Sequence, residues 1–187
     1  MTNIQAYSLK ELKEQYDDTI IHYMLDDFMC KRDESIETFV RNDMIESDEN
    51  GNTKSYFIII ENDSYSKILG FFVLKLTAFP LDKDSEYMRA LNKNHDNKYG
   101  YISTYYIVYL ARCDDVSKEE LSGDNILNFA IEKIDKARDF VAGNIVTLDA
   151  KINKVCEFYK SYGFCEIHTK HDKDSTRLRH FIMVLEI

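Results

Sequence analysis

Lys118-Glu119-Glu120-Leu121-Ser122-Gly123-Asp124-Asn125-Ile126-Leu127 opens the stretch that decides the fold, and Glu157-Phe158-Tyr159-Lys160-Ser161-Tyr162-Gly163-Phe164 closes it. Between them, Ile126, Leu127, Ala130, Ile131, Ile134, Ala137 and Val141 recur at helical spacing. That face predicts a helix over 124–142, with Gly143 just past it as a stop. The short, largely apolar run Ile145-Val146-Thr147-Leu148 predicts a strand over 145–149. A second amphipathic pattern predicts a helix over 152–162, and a strand follows over 164–168. The order is therefore loop, helix, strand, helix, strand.

Upstream, Leu9, Leu12, Tyr16, Ile20, Tyr23, Met24 and Phe28 lie near helical spacing, so a helix is expected over 8–30. Ser8 is its candidate N-cap and Glu11 its N3 partner. Ile36, Phe39, Val40 and Met44 predict a second helix over 34–45, and 48–52 reads as a turn. Strands are expected over 55–61 and 67–79, with 62–66 as a hairpin link. Residues 80–100 are polar and aperiodic, an irregular insertion. Tyr101-Ile-Ser-Thr-Tyr-Tyr-Ile-Val-Tyr-Leu-Ala-Arg-Cys113 is a long strand rich in aromatic and branched residues. A last strand is expected over 180–187. With no repeat and no linker, 1–187 reads as one α+β domain.

The composition is 44% apolar and 30% charged over 187 residues, enough for a real core. No run of about 18 apolar residues exists, so no membrane span is expected. The N-terminus lacks a signal-peptide pattern, and a cytoplasmic protein is expected. The four cysteines, Cys30, Cys113, Cys156 and Cys165, are scattered. They read as buried free thiols, not as a metal or disulfide framework. A net charge of −9 argues against a broad nucleic-acid surface. The aromatic-rich strands are compatible with a homodimer.

The order of elements over about residues 100–170 resembles the acyl-CoA half of the GNAT N-acetyltransferase superfamily. The family's loop reads Gln/Arg-x-x-Gly-x-Gly/Ala and is followed by aliphatic residues. Lys118 stands at its first position, Leu121 replaces its middle glycine, Gly123 matches its last, and Ile126 and Leu127 follow. The resemblance implies that backbone N–H groups across Ser122, Gly123, Asp124, Asn125, Ile126 and Leu127 hold the CoA pyrophosphate at a helix N-terminus. The Asp124 carboxylate is of the wrong sign for that. On the residues alone, the loop reads better as an ordinary Ser/Asp-capped helix.

Tyr109-Leu110-Ala111-Arg112 resembles the end of the family's fourth strand. There, backbone groups hold the pantetheine arm and thioester carbonyl, a role carried to Leu110 and Ala111 as backbone only. Phe158-Tyr159 with Gly163-Phe164 resembles the family's Phe-Tyr-x-x-x-Gly-Phe. The resemblance makes Tyr159 the acid for the leaving thiolate, and a phenol with pKa about 10 suits that task. On the residues alone, Tyr159 reads equally as a core tyrosine. Ile152 stands where the family often has asparagine, with Asn153 one place on. Phe28–Val40 is similar to a segment in a branch that includes bacterial toxin acetyltransferases acting on aminoacyl-tRNA.

What the resemblance implies is a GNAT-like central mixed, mostly antiparallel sheet flanked by helices, with acyl-CoA bound at a strand-loop-helix junction. It implies acetyl transfer from acetyl-CoA, without a metal, to a primary amine on a small molecule, peptide or protein. The acidic balance leans toward a cationic acceptor such as a polyamine. A catalytically silent acyl-CoA-binding or protein-interaction module, and a toxin acting on aminoacyl-tRNA, are the alternatives. No base is visible. Strand 101–112 offers Ser103, Thr104, Tyr105, Tyr106 and Tyr109 but no carboxylate. Alternation puts Tyr105 and Tyr109 on one face and Tyr106 on the other. A carboxylate from 82–86 is a further candidate, and none of the five histidines is assigned a role.

Overall fold

A computed structural model describes residues 3–61, 66–80, 101–150, 153–170 and 180–187. The hairpin link 62–65 and the insertion 81–100 lie outside these residues, as do Ile152 and the carboxylates of 82–86. The chain forms two compact units, one of residues 1–75 with 108–137 and one of residues 76–107 with 138–187.

The first unit opens with a strand not expected from the sequence, β1 (Asn3–Ser8), which ends at the residue where the helix was expected to start. It pairs antiparallel with β2 (Lys54–Glu61), from Asn3↔Glu61 to Ser8↔Tyr56. The expected 8–30 helix is two helices, α1 (Leu9–Gln15) and α2 (Asp18–Asp26). A second N-cap causes the break. Ser8 and Glu11 form the expected capping box. Asp17 then accepts the Ile20 N–H at 3.0 Å and starts a new helix, leaving Tyr16 extended.

The next helical run reaches Glu49, four residues further than expected, and is not uniform. It runs as α3 (Glu34–Thr38), a π-turn at Phe39–Asp43, and α4 (Met44–Glu49). Gly51 ends it at φ +71°. Asp48, 8% exposed, accepts from the Ser55 N–H at 2.6 Å and from Lys54 Nζ at 2.8 Å, tying the helix end to β2.

Strand β3 (Ser66–Pro80) pairs antiparallel with β2. Gly70 faces Ile58 while Ile68 faces Ile59, so Leu69 is bulged. Helix α5 begins at Gly123 and buries Ile126, Leu127, Ala130 and Ile134, the face its sequence predicts.

In the second unit the start of β4 (Tyr101–Arg112) runs parallel to β5 (Ile145–Ala150), pairing Tyr105–Ile107 with Val146–Leu148. β5 pairs antiparallel with β7 (His180–Glu186), and β7 with β6 (Cys165–Lys170). Helix α6 (Asn153–Ser161) joins β5 to β6 through Gly163 at φ +88°.

Gly143 is not the stop of α5, which ends at Arg138. The Arg138 guanidinium donates to the carbonyls of Gly143 and Ile187 at 3.1 and 3.0 Å. That folds the chain back before another turn can form. The mixed, mostly antiparallel sheet flanked by helices is as expected. No helix among the described residues is long and apolar enough to cross a membrane. Cys30, Cys113 and Cys156 are buried as expected, but Cys165 is exposed.

Candidate functional site

The loop after β4 is anchored by its own side chains. The Ser117 N–H donates to Glu120 Oε2 at 2.8 Å, and the Glu120 N–H donates back to Ser117 Oγ at 3.2 Å. These bonds hold the Glu120 carboxyl below the usual carboxylate range. Leu121, standing where the family has glycine, is fully buried. Lys118 and Asp124 are exposed.

The six expected phosphate donors are narrowed by this geometry. The Asn125 N–H donates to Ser122 Oγ at 3.1 Å, and the Ile126 N–H to the Ser122 carbonyl at 3.2 Å. Ser122 thus caps its own helix. Leu127 lies past the first turn, where N–H groups bond back along the helix. Ile126 and Leu127 are core side chains. Gly123, at the first helical position, is the one residue of this start with no side chain to hinder an approaching anion. A groove of about 200 Å³, lined by Ile4, Leu121, Asn125, Asn128, Phe129 and Glu132, runs beside it.

Leu110 and Ala111 belong to the same unit as this loop. Arg112 joins them to it, its guanidinium donating to the Leu121 carbonyl at 3.1 Å. Arg32 in turn donates to the Arg112 carbonyl at 2.6 Å. Among the described residues, nothing accepts the buried Arg112 Nε–H. A half-buried guanidinium at the base of the loop, with a glycine opening a helix, fits an anionic group such as a pyrophosphate. Asp114 fastens the neighbouring segment by accepting from the Lys31 N–H and Arg32 Nε at 2.6 and 2.9 Å. Among the described residues, no cluster of His, Cys, Asp or Glu could hold a metal.

Gly70 makes this packing possible. A Cβ there would stand 2.7 Å from the Ala111 carbonyl oxygen and 2.8 Å from Leu121 Cδ2. An isolated glycine inside an apolar strand was the available sequence signal. Gly70→Ala is expected to cost about 1–3 kcal/mol by overpacking, read as a lower urea midpoint at unchanged slope. A midpoint equal to wild type would show that β4 and the loop yield freely at this contact.

Tyr159 lies in the second unit, on α6. It is 8% exposed, with the Phe158 and Phe164 rings at 5.1 and 5.5 Å. Burial pushes its phenol up to about 12, with a smaller push from Cys156. Among the described residues none accepts its O–H. Two of the hydroxyls considered as bases are bound internally. Tyr105 donates to the Val141 carbonyl at 2.6 Å, and Thr104 pairs with Thr147 at 2.9 Å. Tyr109 instead packs its ring on Phe39, at 4.6 Å between centroids. The histidine at position 22 is exposed on α2. Arg112, Gly70 and Asp114 were not singled out by sequence reasoning, because each acts through a partner distant in the chain.

No protein-family model and no curated protein matches the chain. Solved structures do. A Tyr-to-Phe mutant of KacT aligns at TM-score 0.70 and 16% identity, over 96% of this chain and 94% of that one. AtaT complexed with acetyl-methionyl-tRNAfMet aligns at 0.67 and 17%, over 96% and 94%. A Tyr-to-Phe mutant of the AtaT toxin, bound to the C-terminus of the antitoxin AtaR and acetyl-CoA, aligns at 0.67 and 16%, over 98% and 92%. At these identities the likeness is one of fold, and the chain has the GNAT fold in the form taken by the KacT and AtaT toxins.

Proposed function

We propose that the 1–187 chain works as an acetyltransferase that moves an acetyl group from acetyl-CoA to a primary amine by direct attack in a ternary complex. The observation that carries this reading is Tyr159. It is a buried phenol on α6 whose O–H finds no acceptor among the described residues, in a chain with the GNAT fold. Complexes of AtaT with acetyl-CoA support the choice of acyl donor.

In this reading Gly123, the α5 N-terminus and Arg112 take the pyrophosphate, and the backbone N–H groups of Leu110 and Ala111 take the thioester oxygen. The amine nitrogen attacks the carbonyl carbon, and the oxygen gains charge against those N–H groups. The adduct loses its ammonium proton to water. The C–S bond then breaks and its electron pair leaves on sulfur.

A phenol near 12 is a poorer acid than a free one. Tyr159 therefore serves first as a hydrogen-bond donor to the departing thiolate. Full proton transfer from it would run uphill, since thiols titrate at about 8.5.

Isothermal titration with acetyl-CoA tests the reading. Binding is expected, with Gly123→Trp weakening it on the order of 10-fold, about 1.4 kcal/mol. An absence of binding sinks the proposal.

A second reading, transfer to aminoacyl-tRNA, draws on the AtaT complex with acetyl-methionyl-tRNAfMet. The net charge of −9 weighs against a wide phosphate-binding surface. Growth arrest on expression, relieved by Tyr159→Phe, would favour it over a small amine.

A further inference from the structure

A cavity of about 160 Å³ lies in the first unit, where α2, the start of β3 and the residue after β4 meet. The end of α2 builds one wall. Tyr23 and Asp27, four residues apart, share a helix stripe and form the rim. Met24 and Phe28, each one place further on, reach the floor and are buried there. Ile68 of β3 and Cys113 complete the floor, and Lys67 stands on the opposite rim. Tyr23 is 75% exposed, so its ring serves no core.

The polar groups divide into engaged and free. The Cys113 sulfur accepts the Met29 N–H at 3.4 Å, and its S–H donates to Asp115. Lys67 Nζ donates to the same Asp115 carboxylate at 2.5 Å. Among the described residues, no hydrogen bond or ion pair reaches the exposed Asp27 carboxylate, which Lys67 attracts only at longer range. Glu120 also lies within electrostatic reach of Lys67. One ammonium is thus shared among three carboxylates, Asp27, Asp115 and Glu120. Lys31 and Arg32, the next cations, are held by Asp114. The balance at the mouth is acidic, and the free acid faces an open aromatic ring.

A cation over such a ring and beside a carboxylate is favoured, and an anion is not. The floor offers hydrocarbon and a satisfied thiol, which suits an apolar body. A dry apolar cavity of about 150 Å³ accommodates a benzene ring.

We propose that this cavity binds a small organic ammonium ion, with the cation at Asp27 and Tyr23 and an apolar body on Met24, Phe28 and Ile68. The site stands apart from the transfer chemistry, since neither Leu110 nor Ala111 lines it.

The test titrates the 15N-labelled full chain, without acetyl-CoA, with benzylamine, benzyl alcohol and benzoate by NMR. At pH 8 histidine side chains are ordinarily neutral. Benzylamine is expected to bind with a Kd on the order of 1 mM, as suits so few atoms. It should shift the amides of Tyr23, Met24, Asp27, Phe28, Lys67, Ile68 and Cys113. Benzyl alcohol should bind about 10-fold more weakly, and benzoate more weakly still. Asp27→Asn should weaken benzylamine on the order of 10-fold and leave benzyl alcohol unchanged. Tyr23→Ala should cost benzylamine about 3-fold. Both side chains are exposed, so the fold should hold and the remaining amide spectrum stay as in wild type.

Equal binding of the amine and the alcohol, or no effect of Asp27→Asn, would overturn the proposal. Benzoate binding as well as benzylamine would put the ligand on Lys67 instead and overturn it too. So would saturable shifts centred on Leu110 and Ala111, which would place the amine at the transfer site, or no saturable shift at the lining amides.

Discussion

Tyr159→Phe is expected to lower kcat by about 10²–10³-fold, the usual loss when one donor to developing charge is removed from a dry site. The ring stays in place between Phe158 and Phe164, so acetyl-CoA affinity should hold. The loss should appear equally in kcat and kcat/KM, the pattern of an interaction made only in the transition state. Because the phenol is pushed up to about 12, it stays protonated across the working range. The pH–rate profile should therefore rise with deprotonation of the acceptor amine and show no fall from Tyr159 below about pH 11. A thioester donor with a more acidic thiol needs less help, so the Tyr159→Phe defect should shrink with it. Turnover within twofold of wild type would take Tyr159 out of the chemistry and favour the silent binding module.

The same shift carries a stability consequence of fixed sign. The folded phenol holds its proton more tightly than the unfolded one, whose ordinary value is 10.0. This contribution is fully present below pH 10 and is lost as pH rises from there toward 12. Tyr56, also pushed up by burial, acts in the same direction. Tyr159→Phe cannot ionise, so its urea midpoint should fall less than that of wild type between pH 9 and 11.5. An equal fall in both proteins would show that Tyr159 is better hydrated than its packing implies.

What could be read from the sequence was local and periodic. The buried face of α5 was legible in Ile126, Leu127, Ala130 and Ile134, because a helix against a core must repeat at its own period. The Ser8–Glu11 capping box was legible because both partners lie within one turn. β1 was not, since the helical pattern downstream of Ser8 overlaps its end, and a strand on β2 depends on residues about fifty positions away. The π-turn was hidden as well. One inserted residue leaves Ile36, Phe39, Val40 and Met44 looking like an ordinary helical face, and only contact with Tyr109 shows where Phe39 turns.

For the site, Tyr159 could be placed on a helix, but its shifted phenol follows from burial that no spacing reveals. The loop was legible as a motif with one discord, Leu121. The structure explains that discord by making Leu121 part of the core.

Leu121→Ala is accordingly expected to destabilise the protein by about 2–5 kcal/mol, the range for truncating a fully buried leucine. In a loop that only cradles phosphate, trimming this side chain toward the family's glycine would be harmless or would improve the approach of an anion. Here the Leu121 carbonyl accepts from Arg112, and its side chain packs in the space left by the missing Cβ of Gly70. Truncation opens a cavity under the loop and slackens the Arg112 tie together with the start of α5. Stability and acetyl-CoA affinity should therefore fall together, by urea unfolding and by titration. Leu121→Met, which nearly conserves volume, should cost less than about 1.5 kcal/mol and keep the affinity. A Leu121→Ala protein of wild-type stability that binds acetyl-CoA more tightly would mean the family's glycine geometry is open to this loop. The core role assigned to Leu121 would then be wrong.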